Sequence, residues 1–469
     1  MTVPPQSAPA EAPTQLPQTA AVRDKRIDRW VDNWNRFWFE PTTPVAMALF
    51  RIFFGIILLE NMLIHLLPDF DLYYGKNSLI PINDMMSLYW HSSYYFDLMA
   101  ALPDNDKYIY GLFWVMVAAT VMMTLGLYTR VSSWVTFLLL MSFGAHFQLN
   151  QNAGDNYLRL ATMCLALSNA GDAFSLDNLL RATRQDWRKT GFGARLSAPW
   201  AQRLLQIQIC IAYGHTWYSK MEGKMWNDGT AVYYAVRYDD LMRFPVPHFF
   251  DQLPVYNLLT WGTLAIEFAL FTFIWWRPAR YWVMATGIAL HLGIEYCMNL
   301  PMFEWSFMLT YLLFIYPEDL TRSWNWVKAK IRERFGEPYR LAFDGSCILC
   351  IRTIGLIHRL DIFGRIKPID FTDKDNDAEL AEVKLDRERA QKEILLQKRN
   401  GDWLGGFKAF RFISLRAPLL WPLTPVLFIP IISFFAELIY KAIAANRKLI
   451  LGSSSKVSSS KVSSIKVSS

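Results

Sequence analysis

Cysteine and charged residues are both scarce in this chain of 469 residues. Five residues are cysteine, an odd number, and only 19% are charged, whereas 53% are hydrophobic and 15% are aromatic. Three of the cysteines, Cys164, Cys210 and Cys297, lie in apolar segments, where a cysteine is usually a small packing residue. The net charge of +7 is not gathered into a basic stripe with interleaved aromatic residues, which argues against nucleic-acid binding.

Long apolar runs set the chain apart from an average globular protein. A membrane-spanning helix needs roughly 20 mostly apolar residues. Eight segments meet or approach that length, at 46–66, 109–127, 133–150, 157–170, 203–219, 257–276, 280–298 and 305–317. Residues 1–39 contain no secretory signal, and we expect a disordered start that leads into a basic amphipathic helix. The predicted fold is a polytopic α-helical membrane protein of about eight spans.

Basic residues are distributed unequally between the two sets of loops. With the N-terminus in the cytoplasm, fourteen Lys and Arg residues lie on the cytoplasmic side and six on the other. Because positive charge favours the cytoplasmic side, we expect an inner-membrane protein with both its N- and C-terminus in the cytoplasm. Thiols in that compartment stay reduced unless they are turning over.

Ionisable side chains inside spans cost roughly 2.5–3.5 kcal/mol each on insertion scales and are candidates for function. The spans and their outer ends hold Arg51, Glu60, His65, Asp155, Arg159, His215, Lys220, Glu222, Lys224, Glu267, His291 and Glu295. Lys220 and Lys224 are four residues apart, as are His291 and Glu295, which predicts that each pair shares a helix face. Two amines so placed disfavour each other's protonation, which makes Lys220 a candidate base. Simple pairing within the helix bundle stays open as the alternative.

The stretch 215–234, which contains Lys220, resembles the central signature of the HTTM family, a group that includes the vitamin K-dependent gamma-carboxylases. Segments 51–55, 154–159 and 291–307 support the resemblance, which covers residues 40–318. It implies that a quinone or hydroquinone is the cofactor, that Lys220 deprotonates it, and that His291 acts beside Lys220. The supporting groups are then Asp155, Lys224, Glu267 and Glu295.

Cys347 and Cys350 form a CxxC pair that follows a turn marked by glycine. Residues 338–343 have the length and apolar character of a buried strand, a helix is expected from Cys347 to Leu360, and a second strand is expected at 366–371. This strand–turn–helix–strand order predicts a C-terminal α/β thioredoxin-like domain.

The start of that helix suits thiol chemistry. The positive end of the helix dipole stabilises a Cys347 thiolate, and Cys350, one turn later, is placed to resolve a mixed disulfide. Arg352 is expected to add positive charge. A zinc site is disfavoured because a second cysteine pair is absent, and no other metal site is expected.

Residues 344–352 follow the pattern Asp-Gly-x-Cys-x-Leu-Cys-x-Arg, with Asp344 and Gly345 at its start, and resemble the DCC thiol-disulfide oxidoreductase family. Segments within 399–447 match later elements of that family. The resemblance implies a dithiol domain over residues 338–447 that exchanges electrons with a thiol or disulfide substrate in the cytoplasm. Residues 448–469 are rich in serine, and we expect a low-complexity tail.

The apolar stretch 418–436 is interrupted by Pro422, Pro425 and Pro430, which disfavour a spanning helix. We expect helices that lie against the lipid bilayer, with a ninth span as the alternative.

Three functional hypotheses follow. The leading one is a membrane oxidoreductase in which Cys347 is the nucleophile and Cys350 the resolving thiol. The second is a carboxylase-like quinol oxygenase that uses Lys220 and His291. The third is a non-enzymatic membrane carrier or assembly platform with regulatory thiols.

Overall fold

The computed structural model describes residues 25–74, 78–79, 96–103, 105–146, 151–187 and 195–451. Within them the membrane region contains α1 (Lys25–Phe39), α2 (Val45–Glu60), α3 (Phe70–Tyr74), α4 (Asp106–Leu125), α5 (Thr129–His146), α6 (Ala153–Leu167), α7 (Leu176–Ala182), α8 (Trp200–Met221), α9 (Lys224–Asn227), α10 (Ala231–Ala235), α11 (Leu253–Thr272), α12 (Arg280–Cys297) and α13 (Phe303–Thr310). Three helices are extended by a tighter or wider turn, α2 over Asn61–Leu66, α11 over Phe273–Trp275 and α13 over Tyr311–Phe314.

Local sequence fixes several helix ends. The side chain of Asn105 accepts a hydrogen bond from the backbone N–H of Lys107 at 3.0 Å, and Gly126 takes the left-handed conformation that ends α4. Asn152 and Asp155 form a reciprocal capping box at the start of α6. Asp155 therefore has a structural role at this helix end.

Each of the eight predicted spans lies mainly in helix over the residues that the structure describes, and residues 147–150 of the third lie outside them. Three helical stretches of the described residues are long and apolar enough to cross a membrane, Val45–Leu66, Asp106–Leu125 and Leu253–Trp275. The chain therefore has the helices of a membrane protein, and the number of eight spans stays a prediction. Aromatic side chains fill much of the shared core, in which Phe50, Phe54 and Phe113 are fully buried.

Distant loops meet at the two ends of the membrane region. At one end, Thr42 and Ser197 form a two-residue antiparallel bridge, and Arg203 Nε donates to the carbonyl of Phe37 at 3.2 Å. A second bridge joins Met242 to Met298. The N-terminal helix and the loop before α8 therefore lie together.

The C-terminal third is a small mixed sheet with helices, reached through α14 (Pro317–Phe335). Its elements are β1 (Tyr339–Phe343), α15 (Ile348–Leu360), β2 (Ile366–Asp370), α16 (Asp377–Glu382), α17 (Arg387–Ala390), β3 (Leu395–Gln397), β4 (Trp403–Gly405), α18 (Gly406–Ser414), α19 (Thr424–Phe428) and α20 (Pro430–Leu451). The sheet order is β2-β1-β3-β4, with β1 and β2 parallel and the other two pairings antiparallel. The predicted strand–turn–helix–strand unit is confirmed.

The sheet buries its core against α15 and α18, through residues that include Leu341, Ile351 and Leu396. Pro425 lies in the first turn of α19, and Pro430 is the first residue of α20. Proline is tolerated at these positions because the first-turn N–H has no helical partner. The helix is thus interrupted within the apolar stretch, and α20 continues from Pro430 for 22 residues, while the position of the stretch relative to the bilayer stays a prediction.

The dithiol domain packs on the membrane region. Trp187 Nε1 donates to the carbonyl of Ile351 at 2.6 Å, and Arg359 Nε donates to Asn178 Oδ1 at 3.3 Å. The Trp324 and Phe363 rings stack with centroids 5.6 Å apart. Residues 178–187 and α14 therefore form its support.

Candidate functional site

The turn between β1 and α15 places Cys347 at the N-cap of the helix. Its Sγ accepts a hydrogen bond from the backbone N–H of Cys350 at 3.4 Å. Asp344 holds the turn, because its Oδ1 accepts from the backbone N–H of Ser346 at 2.9 Å and from the Ser346 hydroxyl at 2.6 Å. Neither cysteine is in a disulfide, and the contacts described below are those of the dithiol.

Gly345 is required by a close approach of β2. Its N–H donates to Asp370 Oδ1 at 3.0 Å, and a Cβ built on Gly345 would lie 1.7 Å from Asp370 Oδ2. Any other side chain would therefore displace the Asp370 carboxylate, which holds the turn through the Gly345 N–H.

The pKa values of the two thiols move in opposite directions. The pKa of Cys347 is lowered to about 6, first by the hydrogen bond from the Cys350 thiol, then by the Cys350 backbone N–H and the charge of Arg447, while burial and Asp344 oppose the change. The pKa of Cys350 is raised, because its hydrogen bond to Cys347 and its burial favour the protonated thiol. The reduced pair at neutral pH is a Cys347 thiolate beside a Cys350 thiol.

Arg447 reaches the dithiol from α20, about a hundred residues further along the chain. One guanidinium nitrogen lies 3.8 Å from Cys350 Sγ, and another lies 3.3 Å from Asp344 Oδ2 and also donates to the carbonyl of Gln391. Arg352, which was expected to supply positive charge, is half-buried in the first turns of α15. The guanidinium that contacts the dithiol is that of Arg447, which the motif alone does not reveal.

An open cavity of about 500 Å³ borders this arginine. It is lined by Gln391, Lys392, Glu393, Tyr440, Lys441, Ala444, Ala445 and Arg447. Cys347 is fully buried, whereas Cys350 is partly exposed. The Cys347 sulfur is therefore shielded from solvent in this structure, and Cys350 is the more accessible thiol of the pair.

Lys220 and Glu267 form an ion pair in the membrane region. Lys220 Nζ donates to Glu267 Oε1 and lies 4.9 Å from the centre of the Trp226 ring. Glu267 is buried, and its second oxygen has no hydrogen-bond partner among the residues that the structure describes. The proposed base thus has a carboxylate partner.

His291 is the centre of a buried polar chain. Its Nδ1 bonds to Glu304, its Nε2 lies 2.6 Å from the Tyr213 hydroxyl, and that hydroxyl lies 2.6 Å from the Tyr311 hydroxyl. All four side chains are buried. Sequence reasoning missed Glu304, Tyr213 and Tyr311, although an acidic residue in the apolar α13 is a signal that could have identified Glu304.

The other predicted supporting residues do not join this chain. Lys220 and Lys224 do not share a helix face, because α8 ends at Met221 and Lys224 begins α9 after Gly223, so the predicted stacking of two amines is wrong. Glu295 lies on α12 with His291, as predicted, but pairs with Arg243.

Possible metal ligands are dispersed in the part of the chain that the structure describes. No three His, Cys, Asp or Glu side chains of those residues are grouped so that they could hold a metal ion.

Comparison with known proteins bears on both regions. A family model described as the HTTM domain matches residues 39–319, and a model described as DCC1-like thiol-disulfide oxidoreductase matches residues 341–453. The uncharacterized protein YitO of Bacillus subtilis (strain 168) is 26% identical over 134 residues, which are 27% of this chain and 42% of that protein. The chain thus covers less than half the length of this relative. No solved structure matches the chain.

Both resemblances seen in the sequence are confirmed by these matches. The HTTM match covers more than half of the chain, and the DCC1-like match contains both cysteines of the dithiol. The chain therefore belongs to the HTTM family and carries a DCC1-like thiol-disulfide oxidoreductase domain after its membrane region.

Proposed function

We propose that the chain is an integral-membrane thiol-disulfide oxidoreductase in which Cys347 attacks and Cys350 resolves. The observation that carries this proposal is the placement of Cys347 Sγ at the N-terminus of α15, 3.4 Å from the backbone N–H of Cys350. Helix N–H groups and a nearby guanidinium stabilise a thiolate, which is the nucleophile of disulfide exchange.

The exchange takes place in two steps. The Cys347 thiolate attacks one sulfur of a substrate disulfide, so that an S–S bond forms with the substrate and the other substrate sulfur leaves as a thiolate. Cys350 then gives its proton to the substrate thiolate that left first and attacks Cys347 Sγ, which releases the second substrate thiolate. Two electrons pass from the dithiol to the substrate, and Cys347 and Cys350 end as a disulfide. A low-molecular-weight or protein dithiol restores the reduced pair.

We further propose an inner-membrane protein with about eight spans and both termini in the cytoplasm. The contacts between Thr42 and Ser197 and between Trp187 and Ile351 support this arrangement. They bring the N-terminal region, the loop before α8 and the dithiol domain to the same end of the molecule. That arrangement requires an even number of spans between the loop and the dithiol domain, as the predicted topology has. A thioredoxin-like fold over residues 338–447 and a membrane domain over 40–318 complete the proposal.

Trapping of the mixed disulfide tests the redox assignment. Cys350→Ser removes the resolving thiol, so we expect a covalent adduct between Cys347 and a disulfide substrate to accumulate in the membrane fraction. The adduct should disappear on addition of a reductant and be absent in the Cys347→Ser, Cys350→Ser double variant. The assignment fails if no adduct forms with a small disulfide probe or a cytosolic protein.

A second candidate function is deprotonation of a membrane-soluble hydroquinone by Lys220. The HTTM match over residues 39–319 motivates it, and Glu267 would have to take up the ammonium proton of Lys220 before the amine could accept a proton from the hydroquinone hydroxyl, because an ionised carboxylate stabilises the ammonium form. Loss of quinol consumption in Lys220→Ala, with adduct formation at Cys347 retained, would support it.

If neither the cysteine variants nor Lys220→Ala changes an activity, the third hypothesis of a membrane platform with regulatory thiols gains support.

A further inference from the structure

Exposed apolar side chains are concentrated in one segment of the dithiol domain. Across residues 336–414, all of which the structure describes, no large apolar side chain is exposed. The segment 415–443 exposes Leu415, Leu419, Trp421, Leu423, Val426, Phe428, Ile429, Ile431, Ile432, Phe434, Phe435, Leu438, Ile439 and Ile443. We call this set the apolar patch. A contiguous exposed patch of this kind marks an interaction surface.

Helix α20 has two faces with different partners. Its outer face exposes Ile431, Phe434, Phe435, Leu438 and Ile439, spaced at i, i+3, i+4, i+7 and i+8. The inner face is already occupied by polar contacts within the domain. The apolar patch is therefore not a core face that has lost its cover, because α20 packs on the domain through its other side.

The contacts of the inner face run along much of α20. Ser433 Oγ accepts a hydrogen bond from Arg411 at 3.0 Å, the Tyr440 hydroxyl accepts from the backbone N–H of Ile394 at 3.1 Å, and Arg447 contacts the dithiol. The same helix thus presents the apolar patch and holds Arg447 in place.

Charged residues around the apolar patch are mostly basic. Between residues 406 and 446 the basic residues are Lys408, Arg411, Arg416 and Lys441, and the single acidic residue, Glu437, pairs with Lys441. Basic side chains beside an apolar helix face are attracted to the negative headgroups of the cytoplasmic leaflet. Trp421, which is exposed, is a residue type that favours the headgroup layer.

The position of the dithiol domain favours lipid over a soluble partner. Trp187 and Trp324 hold the domain against a loop and a helix that are continuous with the membrane region. A bilayer around that region is therefore adjacent to the dithiol domain.

We propose that the apolar patch lies in the interfacial layer of the bilayer that surrounds the membrane region, with its basic residues on anionic headgroups. The dithiol then works at the membrane surface, under a helix whose opposite face contacts lipid.

Photo-crosslinking from lipid tests this proposal in the full-length protein. The protein is placed in nanodiscs that contain an anionic phospholipid and a trace of phospholipid with a diazirine in the upper acyl chain. After illumination and digestion, lipid adducts are mapped by mass spectrometry. We expect adducts on residues 415–443 to exceed those on 339–414 by about tenfold, because an interfacial helix buries its apolar face at the level of the upper acyl chains.

Two variants separate lipid contact from loss of folding. Phe434→Asp combined with Leu438→Asp should reduce adducts on 415–443 to the level of 339–414, whereas Ala381→Asp, which adds charge on the exposed surface of α16, should leave them unchanged. The alkylation rate of Cys347 reports whether α20 still packs on the dithiol. Replacing the anionic lipid with a zwitterionic lipid should lower the adduct yield on 415–443 without removing it.

The proposal is overturned if residues 415–443 carry no more adducts than 339–414 in the unmodified protein. It is also overturned if a protein cross-linker joins two copies through the apolar patch in the same nanodiscs. Neither result depends on thiol exchange, which can be measured separately with a soluble disulfide.

Discussion

The dithiol at Cys347 and the dyad formed by His291 and Glu304 both consist of titratable side chains removed from water, but their surroundings differ. In the dithiol, a hydrogen bond from the Cys350 thiol stabilises the Cys347 thiolate. Arg447, which contacts Cys350, also lines an open cavity of about 500 Å³. The dyad is closed on all sides, since Glu304, His291, Tyr213 and Tyr311 are all buried. A thiol that reacts with substrates needs a path by which the substrate can reach it. A buried polar chain within a helix bundle instead fixes how the helices pack.

The largest effect is expected from breaking the dyad. His291→Leu removes the partner of Glu304 and of the Tyr213 hydroxyl, which leaves a buried carboxylate unpaired. Removal of one member of a buried pair costs about 3–5 kcal/mol. We expect a loss of that order in the free energy of unfolding of the membrane region, measured in detergent by tryptophan fluorescence, with the alkylation rate of Cys347 unchanged.

An exposed ion pair serves as the matched control for the dyad. Arg237 and Asp251 are each more than one third exposed, so solvent screens their attraction. Asp251→Asn should change the unfolding free energy much less than His291→Leu. Equal losses in the two variants would show that burial does not distinguish these pairs.

A smaller effect is expected at the turn that carries the dithiol. Gly345→Ala places a methyl group against Asp370, and overpacking of this kind costs roughly 1–3 kcal/mol. Thermal unfolding of the full chain should show the loss in the dithiol domain, together with slower disulfide exchange. The control is Gly111→Ala in α4, where an added Cβ meets nothing within 4 Å, and its stability should not fall. An unaffected Gly345→Ala protein would contradict the steric argument.

The sequence predicts the dithiol better than the dyad because the dithiol is built locally. Cys347, Cys350 and the turn at Gly345 lie within one short stretch, so spacing alone places the sulfurs at a helix N-terminus. Arg447 could not be placed in this way, since its contact with Cys350 spans 97 residues and depends on how α20 packs. The sequence also does not predict that α8 ends at Met221. This break places Lys220 and Lys224 on different helices.

Long-range pairing limits the prediction in the membrane region for the same reason. The sequence identifies His291 as an ionisable group within a span and Lys220 as one at the outer end of a span. Their partners Glu267 and Glu304 lie on other helices, and helix packing decides which carboxylate meets which base. Composition thus indicates that a partner must exist, and only the fold shows which residue it is.

The smallest effect is expected from Arg447, whose charge comes from α20 and lowers the pKa of both thiols. Arg447→Met removes a guanidinium that stabilises the Cys347 thiolate, so the pKa of Cys347 should rise above its value of about 6. It should stay below that of an ordinary cysteine, because the hydrogen bond from Cys350, which contributes most, remains. The pH dependence of iodoacetamide alkylation measures this pKa, and its midpoint should move to higher pH in Arg447→Met.

Two further substitutions decide what Arg447 contributes. Arg447→Lys keeps the charge but cannot bridge Asp344 and Gln391 in the same way, so its alkylation midpoint should lie between those of the unmodified protein and Arg447→Met. Arg332→Met removes an exposed arginine of α14 and should leave the midpoint unchanged. If Arg447→Met and Arg332→Met behave alike, the low pKa of Cys347 arises from the local hydrogen bonds of α15 alone. The charge state of the dithiol would then depend only on groups of its own turn and helix, and the open cavity beside Arg447 would be the remaining difference from the dyad at His291.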